Sequence, residues 1–334
     1  KEYQDTPSSQ EDLEKIPMLE LSDIKREPAK DYNDVKSVDG IKIVHHNIFT
    51  NKIAYINMSF DTKCVPDELI PYMGLLGSTL SLMDTKNYTY PELTNEININ
   101  CGGLATGTAL YSDKVDFSKN TIVYEVKSKA LYEKVPFVLG MMEEIMYNTR
   151  FDDYKRLKEI IARIKSRLEA SLMGQGHSIA MLECCAQFSE SAYYSDILRG
   201  YKYYEFIKKL DEEFEQNKTQ IVDKLNKLVG YIFNKDNVIV SLTADDEGYD
   251  CFVKALSAKS CNIKDEHYNT AVRSFIPVNV KTGYTSASQV QYVARCGNFV
   301  KDGYKYTGAL KVLKVIFSYD YLWINVRVKG GAYG

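Results

Sequence analysis

Apolar residues recur with the period of an α-helix along three long stretches between positions 135 and 232 of this 334-residue chain. Shorter apolar or alternating segments precede and follow these stretches, and they predict β-strands at residues 41–44, 53–60, 105–111, 121–126 and 238–242. Strands that come first, helices that cluster and strands that return are typical of the α+β class. We therefore expect helices to pack on one face of a mainly antiparallel sheet.

Local signals refine this prediction. A turn-like stretch at residues 50–52 predicts that the first two strands pair as an antiparallel hairpin. Apolar residues on one face predict a buried helix at residues 69–83, and Gly74 and Gly77 beside that face allow close packing against a sheet. Thr89 and Glu92 form a capping-box pattern, which predicts that a second helix begins there.

The same patterns divide the chain into a linker, one complete domain and the beginning of another. Residues 1–33 are predicted to be a linker with a short helix capped by Ser9, and residues 34–262 a complete α+β domain. Residues 258–270 are polar and carry no period, which places a domain boundary there. Strands at 272–278 and 289–294, a helix at 307–317 and a strand at 323–328 are then predicted. They repeat the strand–strand–helix order, so residues 263–334 are predicted to begin a second, similar domain.

Composition excludes several classes of protein. The formal net charge is −3 and both signs are mixed along the chain, which argues against nucleic acid as a partner because phosphate binding needs a concentrated basic face. Charged residues interrupt every apolar run well before the ~20 residues that a membrane span needs. The seven cysteines show no metal or redox spacing and favour free thiols in a reducing compartment.

No catalytic motif with metal-binding or nucleophile spacing occurs in the sequence. His45 and His46 are adjacent on a predicted strand and point to opposite faces, while His177 and His267 stand alone. The sequence contains no HxxEH helix or its inverse, no GxSxG elbow and no phosphate-binding glycine loop. We therefore predict that this chain binds no catalytic metal.

The last residues carry the candidate functional group of the chain. On the strand predicted at 323–328, Asn325 and Arg327 share a face with Trp323, and a turn at Gly330 and Gly331 would bring Tyr333 back towards Arg327. The residues of a functional site here would be Asn325, Arg327, Gly330, Gly331 and Tyr333. Arg and Tyr supply hydrogen-bond donors that can hold a peptide carbonyl or a developing oxyanion.

Arg327 followed by the sequence Gly-Gly-Ala-Tyr-Gly at 330–334 resembles the arginine–tyrosine motif of the presequence-protease branch of the insulinase/pitrilysin superfamily. Other segments are similar to the same family in the same order along the chain; they are residues 16–24, 38–51, 71–76, 84–93 and 101–103. The resemblance therefore covers the whole chain.

The resemblance implies a zinc metalloendopeptidase whose two halves close like a clamshell around an unfolded peptide. Zinc and the general base would lie in an N-terminal half of the same polypeptide, absent here, on an inverted HxxEH helix. Arg327 and Tyr333 would be catalytic, gripping the substrate near the scissile bond, with Asn325, Gly330 and Gly331 also binding it. The helix predicted at 69–83 corresponds to the zinc helix but lacks ligands. The chain would thus contain the third domain and the opening of the fourth, and would be inactive alone.

Other functions remain open at this point. The fold would also suit a non-catalytic structural homologue, such as a processing-peptidase or respiratory core-protein subunit, and a plain α+β binding module. We expect a location in the cytoplasm of a bacterium, with an organelle matrix as the alternative.

Overall fold

A six-stranded β-sheet forms the centre of the computed structural model, which describes residues 5–28, 30, 32–116, 119–258, 262–285 and 289–332. The strand order is β1-β2-β6-β3-β5-β4. The strands are β1 (Asp34–Val38), β2 (Ile41–Asn47), β3 (Ile53–Asp61), β4 (Leu104–Ser112), β5 (Asn120–Leu131) and β6 (Val238–Ala244). Every neighbouring pair is antiparallel except β2 and β6. The mainly antiparallel sheet that the sequence predicts is confirmed.

The predicted hairpin between residues 41–44 and 53–60, which form β2 and β3, is wrong. Strand β6 lies between β2 and β3, where Ile43 is opposite Val240 and Ile56 is opposite Leu242. The turn itself is where the sequence places it, since Asn51 and Lys52 have φ angles of 51° and 63°. Local sequence defines such a turn, but it cannot report that a strand from much later in the chain inserts between the two arms. The sequence analysis also missed β1, which pairs with β2.

The two faces of the sheet differ in burial. Side chains alternate across a strand, and in β3 this alternation buries Ala54, Ile56, Met58 and Phe60 while their neighbours are more exposed. The corresponding positions of β2, β5 and β6 join the same core. Helices cover this face, and the opposite face carries no helix layer among the described residues. We call that second surface the open face.

The helices of the chain include those of the predicted stripes, and three further helices between residues 176 and 212 were not predicted. Up to residue 257 the helices include α2 (Ile70–Thr79), α3 (Tyr90–Asn100), α4 (Val135–Tyr147), α5 (Tyr154–Gly174), α6 (Gly176–Ala186), α7 (Glu190–Arg199), α8 (Tyr201–Glu212), α9 (Phe214–Ile232) and α10 (Asp246–Ser257), after a short α1 (Gln10–Glu14). Ser9 caps α1, and Thr89 and Glu92 form the predicted capping box of α3. Within the described parts of the chain, no helix has the length and apolar character needed to cross a bilayer.

Helix α2 approaches the edge strand β4 closely because glycines occur at the contact. A β-carbon at Gly77 would lie 3.1 Å from the Cα of Gly107, and the hydroxyl of Thr106 donates a hydrogen bond to the carbonyl of Gly77 at 3.0 Å. The close helix–sheet packing expected at this glycine is therefore present.

Residues 262–332 differ most from the sequence prediction. The described residues of the segments predicted as strands at 272–278 and 289–294 are not in strands. A helix, α11 (Ala309–Ile316), forms within the predicted range, but a π-helix (Phe317–Lys329) replaces the strand predicted at 323–328. A strand is stable only when it is paired. None of the six described strands reaches this segment, so its backbone makes local helical hydrogen bonds instead.

Residues 262–285, which precede α11, contact the domain formed by the sheet and its helices through main-chain and side-chain hydrogen bonds. The amide of Ala271 donates to the carbonyl of Lys63 at 2.9 Å, and that of Val278 donates to the carbonyl of Gln187 at 2.8 Å. The guanidinium of Arg273 donates to the carbonyl of Thr62. These contacts do not test where one domain ends and the next begins, so the boundary near residue 262 stays a prediction.

Candidate functional site

Helical geometry brings together two of the residues at the predicted C-terminal site and separates a third. The guanidinium carbon of Arg327 lies 4.4 Å from the centroid of the Trp323 ring, a cation–π contact between residues four positions apart. The side-chain amide of Asn325 instead donates to the carbonyl of Tyr321 at 2.8 Å. The shared face of Trp323, Asn325 and Arg327 that a strand would have produced is therefore absent.

Gly330 and Gly331 end the π-helix. Gly331 has a φ angle of 66°, which favours glycine, and its amide donates to the carbonyl of Arg327 at 3.0 Å. A β-carbon at Gly330 would lie 2.6 Å from the carbonyl oxygen of Val326. The chain therefore turns at the predicted position. Tyr333 lies outside the described residues, so its proximity to Arg327 stays a prediction.

A second group of polar side chains lies on the open face around Glu125. The Oε1 atom of Glu125 accepts hydrogen bonds from Asn57 Nδ2 and from the Tyr111 hydroxyl, both at 2.9 Å. Its Oε2 atom lies 2.6 Å from Lys127 Nζ. We call Asn57, Tyr111, Glu125 and Lys127 the Glu125 cluster.

The Glu125 cluster holds a charged carboxylate. Burial raises the pKa of Glu125, but the hydrogen bonds from Lys127, Asn57 and Tyr111 outweigh it and leave the pKa lowered. The side chain of Glu125 is thus an ionised acceptor at neutral pH, with its lone pairs already engaged. It is suited to organising the open face rather than to accepting a proton from a substrate.

Sequence reasoning missed the Glu125 cluster, although part of the signal was visible. Glu125, Lys127 and Lys129 occupy every second position of one strand, which marks a polar face. Asn57 and Tyr111, however, come from β3 and β4. Their position beside Glu125 depends on the strand order and register, and these were not predictable from local patterns.

One group of side chains in the described residues has the geometry to hold a metal ion. Ligand atoms of Asp236, Asp265 and His267 lie within 4.8 Å of one another, and all three residues are exposed. His267 already forms a hydrogen bond with Asp236.

Helix α2 is different from a metal-binding helix. It offers neither His nor carboxylate, and it buries Tyr72, Met73 and Leu76 in the core. A zinc site of the peptidase kind does not fit that helix.

Family comparison agrees with this architecture. Residues 1–210 match a family model for the domain associated with subfamily C of the M16 peptidases, and residues 283–334 match the model "PreP C-terminal domain". The chain therefore belongs to this family of M16-peptidase-associated domains. It corresponds to the C-terminal half of the proteins that form the presequence-protease branch of the insulinase-type peptidases.

Individual relatives match along the whole chain. Protein HypA of Clostridium perfringens is 40% identical over 339 residues, which cover 100% of this chain and 34% of that protein. Presequence protease 1, chloroplastic/mitochondrial, of Arabidopsis thaliana is 28% identical over 99% of this chain and 31% of its own length. The mitochondrial presequence protease of Drosophila melanogaster is 26% identical over 96% of this chain and 31% of its own length. The chain thus spans about a third of the curated relatives it matches.

A solved structure was also found. The peptidase M16 inactive domain from Pseudomonas fluorescens aligns with a TM-score of 0.48 and 15% identity, covering 74% of this chain and 54% of that chain.

Proposed function

We propose that this chain is the substrate-binding half of a clamshell zinc metalloendopeptidase that degrades unfolded peptides. The observation that carries the proposal is the match to a presequence protease over 99% of this chain but only 31% of that relative. A full enzyme of this kind has ample length outside the matched segment for the zinc ligands and the general base. The chain alone is then inactive.

The position of α2 supports this division of labour. A zinc peptidase helix presents its ligands to a cleft, whereas α2 buries its side chains against the sheet and carries no ligand type. Zinc, when bound in the other half, would act as a Lewis acid on the scissile carbonyl. The residues of this chain would bind and orient the peptide and donate hydrogen bonds near the scissile bond.

We assign the gripping role to Arg327 and Tyr333, with Asn325, Gly330 and Gly331 shaping the same segment. Arg327 is exposed and lies at the end of the chain that matches the PreP C-terminal domain model. A guanidinium and a phenol can each donate to a carbonyl oxygen or to the oxyanion that forms from it. Such donors act most strongly when they contact the transition state.

The open face is proposed to line the peptide chamber. It lacks a helix layer among the described residues, and it presents both apolar side chains such as Tyr55 and Ile239 and the charged Glu125 cluster. A mixed surface of this kind can contact unfolded peptides of varied sequence without selecting one strongly.

Substitution of the two gripping residues in the full-length protein tests the proposal. We expect Arg327→Ala and Tyr333→Phe each to lower kcat/KM for an unfolded peptide, with a combined loss of about 2–4 kcal/mol if both donors act on the transition state. Lys329→Ala, an exposed change on the same helix, is the matched control and should leave kcat/KM unchanged.

Two results would refute the assignment. Unchanged kcat/KM in both variants would remove the gripping role. Full-length protein that cleaves no peptide and carries no zinc-binding helix would instead identify a non-catalytic homologue of the processing-peptidase or core-protein kind.

The proposed compartment is the bacterial cytoplasm. The relative at 40% identity comes from the bacterium Clostridium perfringens, while relatives at lower identity carry mitochondrial or chloroplast names. Cell fractionation of the source organism with an antibody to this chain would decide between the cytoplasm and an organelle matrix.

A further inference from the structure

A cavity of about 790 Å³ lies beside the contact between helix α2 and the edge strand β4. One wall is formed by residues 104–108 of β4, and the others by α2, α5, α7 and the start of α8. This cavity is distinct from the Glu125 cluster, which lies on the open face, and from the C-terminal segment that carries Arg327.

Three arginines and no acidic residue line this cavity. Arg163 and Arg167 lie one turn apart on α5, and Arg199 lies at the end of α7. All three are exposed to solvent, and in the part of the chain that the structure describes none of them forms an ion pair or hydrogen bond. Like charges one helical turn apart repel each other. An anion that lies between them relieves this repulsion.

The acidic residues that could have neutralised α5 are engaged elsewhere. Glu159 pairs with Arg156 at 3.3 Å, and Glu169 accepts a hydrogen bond from the Tyr204 hydroxyl at 3.3 Å. Asp211 pairs with Lys165 on the same helix. None of these carboxylates lines the cavity beside the three arginines.

A buried tyrosine also lines the cavity. Tyr203 lines the wall and is 4% exposed, and although Ser78 lies near its hydroxyl, that hydroxyl makes no hydrogen bond of normal geometry within the described residues. An unpartnered buried hydroxyl is costly unless a ligand or water satisfies it. Gly74 makes room for this ring, because a β-carbon there would lie 2.7 Å from Tyr203 Cε2.

The backbone beside the arginines is the free edge of a sheet. Strand β4 is the last strand in the sheet order and pairs only with β5 in the described structure. An extended peptide can add to such an edge through main-chain hydrogen bonds, and every second side chain then points to the same side. Residues 104–108 of this edge strand line the cavity, so a peptide paired with them would lie beside it.

We propose that this cavity is a subsite for an acidic side chain of an extended peptide that lies along β4. The planar guanidinium group of arginine matches the geometry of a carboxylate. The inference rests on the proposed function in that it takes the ligand to be a peptide substrate. It adds a preference for acidic segments that the gripping residues near the C-terminus would not impose.

Peptide binding to the full-length protein tests this subsite separately from catalysis. A short, unstructured, fluorescently labelled peptide with one central Glu is compared with its Gln counterpart by anisotropy, with a zinc chelator present so that neither is cut. We expect the Glu peptide to bind the wild-type protein about tenfold more tightly. The double variant Arg163→Gln/Arg167→Gln should bind both peptides equally.

A matched control separates the cavity from general charge. Arg150→Gln/Lys155→Gln also removes two positive charges, one of them on the same helix α5, but neither residue lines the cavity. This control should keep the preference for Glu. Equal binding of the two peptides by the wild-type protein overturns the proposal, as does a preference that survives in the cavity variant.

Two further measurements complete the test. In the first, the Tm of the wild-type protein is measured with inorganic phosphate. A Tm raised by phosphate, together with equal affinities for the Glu and Gln peptides, would assign the cavity to a free anion and overturn the peptide subsite. Cleavage of the Gln peptide without the chelator reports on the proposed peptidase function, so failure of that function can be told apart from failure of the subsite.

Discussion

Lys127 Nζ lies 2.6 Å from Glu125 Oε2 on the open face, although the two residues are neighbours on the same side of one strand. The side chain of Glu125 is 7% exposed and that of Lys127 is 49% exposed. Asn57 and Tyr111 approach the other carboxylate oxygen from β3 and β4. One carboxylate therefore ties three strands together on a surface that no described helix covers.

Replacement of this carboxylate should weaken the fold most at neutral pH. We expect Glu125→Gln to lower the free energy of unfolding by about 1–2 kcal/mol at pH 7, because it removes charge-assisted hydrogen bonds from partners on two other strands. Chemical denaturation at several pH values measures the effect. Glu133→Gln, an exposed change just after β5, is the control.

The difference in free energy of unfolding between wild type and Glu125→Gln should depend on pH in one direction. The pKa of Glu125 is lowered from 4.5 in the folded protein, so its contribution is present above the unfolded pKa and is lost as pH falls through the folded pKa. The gap between wild type and Glu125→Gln should therefore shrink below about pH 4.5. A gap that stays constant down to strongly acidic pH contradicts the assignment.

The carboxyl of Glu183 should affect stability with the opposite pH dependence. Burial, followed by the neighbouring Asp196 carboxyl, raises the pKa of Glu183, and Lys202 opposes this only in part. Asp196 itself is 1% exposed and has Lys202 Nζ at 3.6 Å. The Tyr284 hydroxyl also faces this pair. A raised folded pKa means that ionisation of Glu183 destabilises the fold as pH rises above 4.5.

We therefore expect Glu183→Gln to stabilise the protein at neutral pH. Removal of one of two adjacent carboxyls relieves their repulsion while keeping a hydrogen-bonding side chain. Thermal unfolding should give a higher Tm than wild type at pH 7 and a smaller difference near pH 4. A lower Tm at pH 7 would show that the ionised pair of Glu183 and Asp196 is stabilising. The attraction of Lys202 would then outweigh the repulsion between the two carboxylates.

The sequence predicted elements well where local chemistry defines them. The capping box of Thr89 and Glu92 is present, with the Glu92 carboxylate accepting from the Thr89 amide at 2.9 Å. The buried helix stripes also occur as predicted. Both depend on residues within a few positions of one another, and local patterns therefore contain them.

Strand pairing and the candidate site depended on distant residues and were harder to predict. The pairing of Ile43 with Val240 joins segments far apart in the chain, so no local turn signal could show it. Alternation at 323–328 predicted a strand, but alternation cannot say whether a partner strand is available. Asn325 and Arg327 therefore separate in the helix that forms, and Tyr333 lies outside the described residues.

The contact between Gly74 and Tyr203 should tolerate no added methyl group. We expect Gly74→Ala to lower the free energy of unfolding by about 1–3 kcal/mol, because a β-carbon there would meet the ring at 2.7 Å and the Leu198 carbonyl at 2.9 Å. Gly174→Ala, near the end of α5, meets no atom within 4 Å and is the control. Equal unfolding energies in the two variants would contradict this packing.

The last prediction concerns the contacts between residues 262–285 and the domain formed by the sheet and its helices. The Arg273 guanidinium donates to the Thr62 carbonyl and lies over the Tyr194 ring, with its carbon 6.0 Å from the centroid. The amide of Ser274 donates to Asp67 Oδ2 at 3.2 Å. Few apolar side chains of this segment are buried, so it is held chiefly by polar contacts that open locally.

We expect Arg273→Ala to release this segment without unfolding the main sheet. Limited proteolysis should cut between residues 262 and 285 several-fold faster than in wild type, because local opening becomes more frequent. The Tm of the main transition should change little, since Arg273 is partly exposed and lies outside the strands and helices of the core. Arg295→Ala, which alters a different part of the same extended region, should leave this cleavage rate unchanged. Equal cleavage rates in Arg273→Ala and wild type would show that the main-chain hydrogen bonds of Ala271 and Val278 suffice to hold the segment.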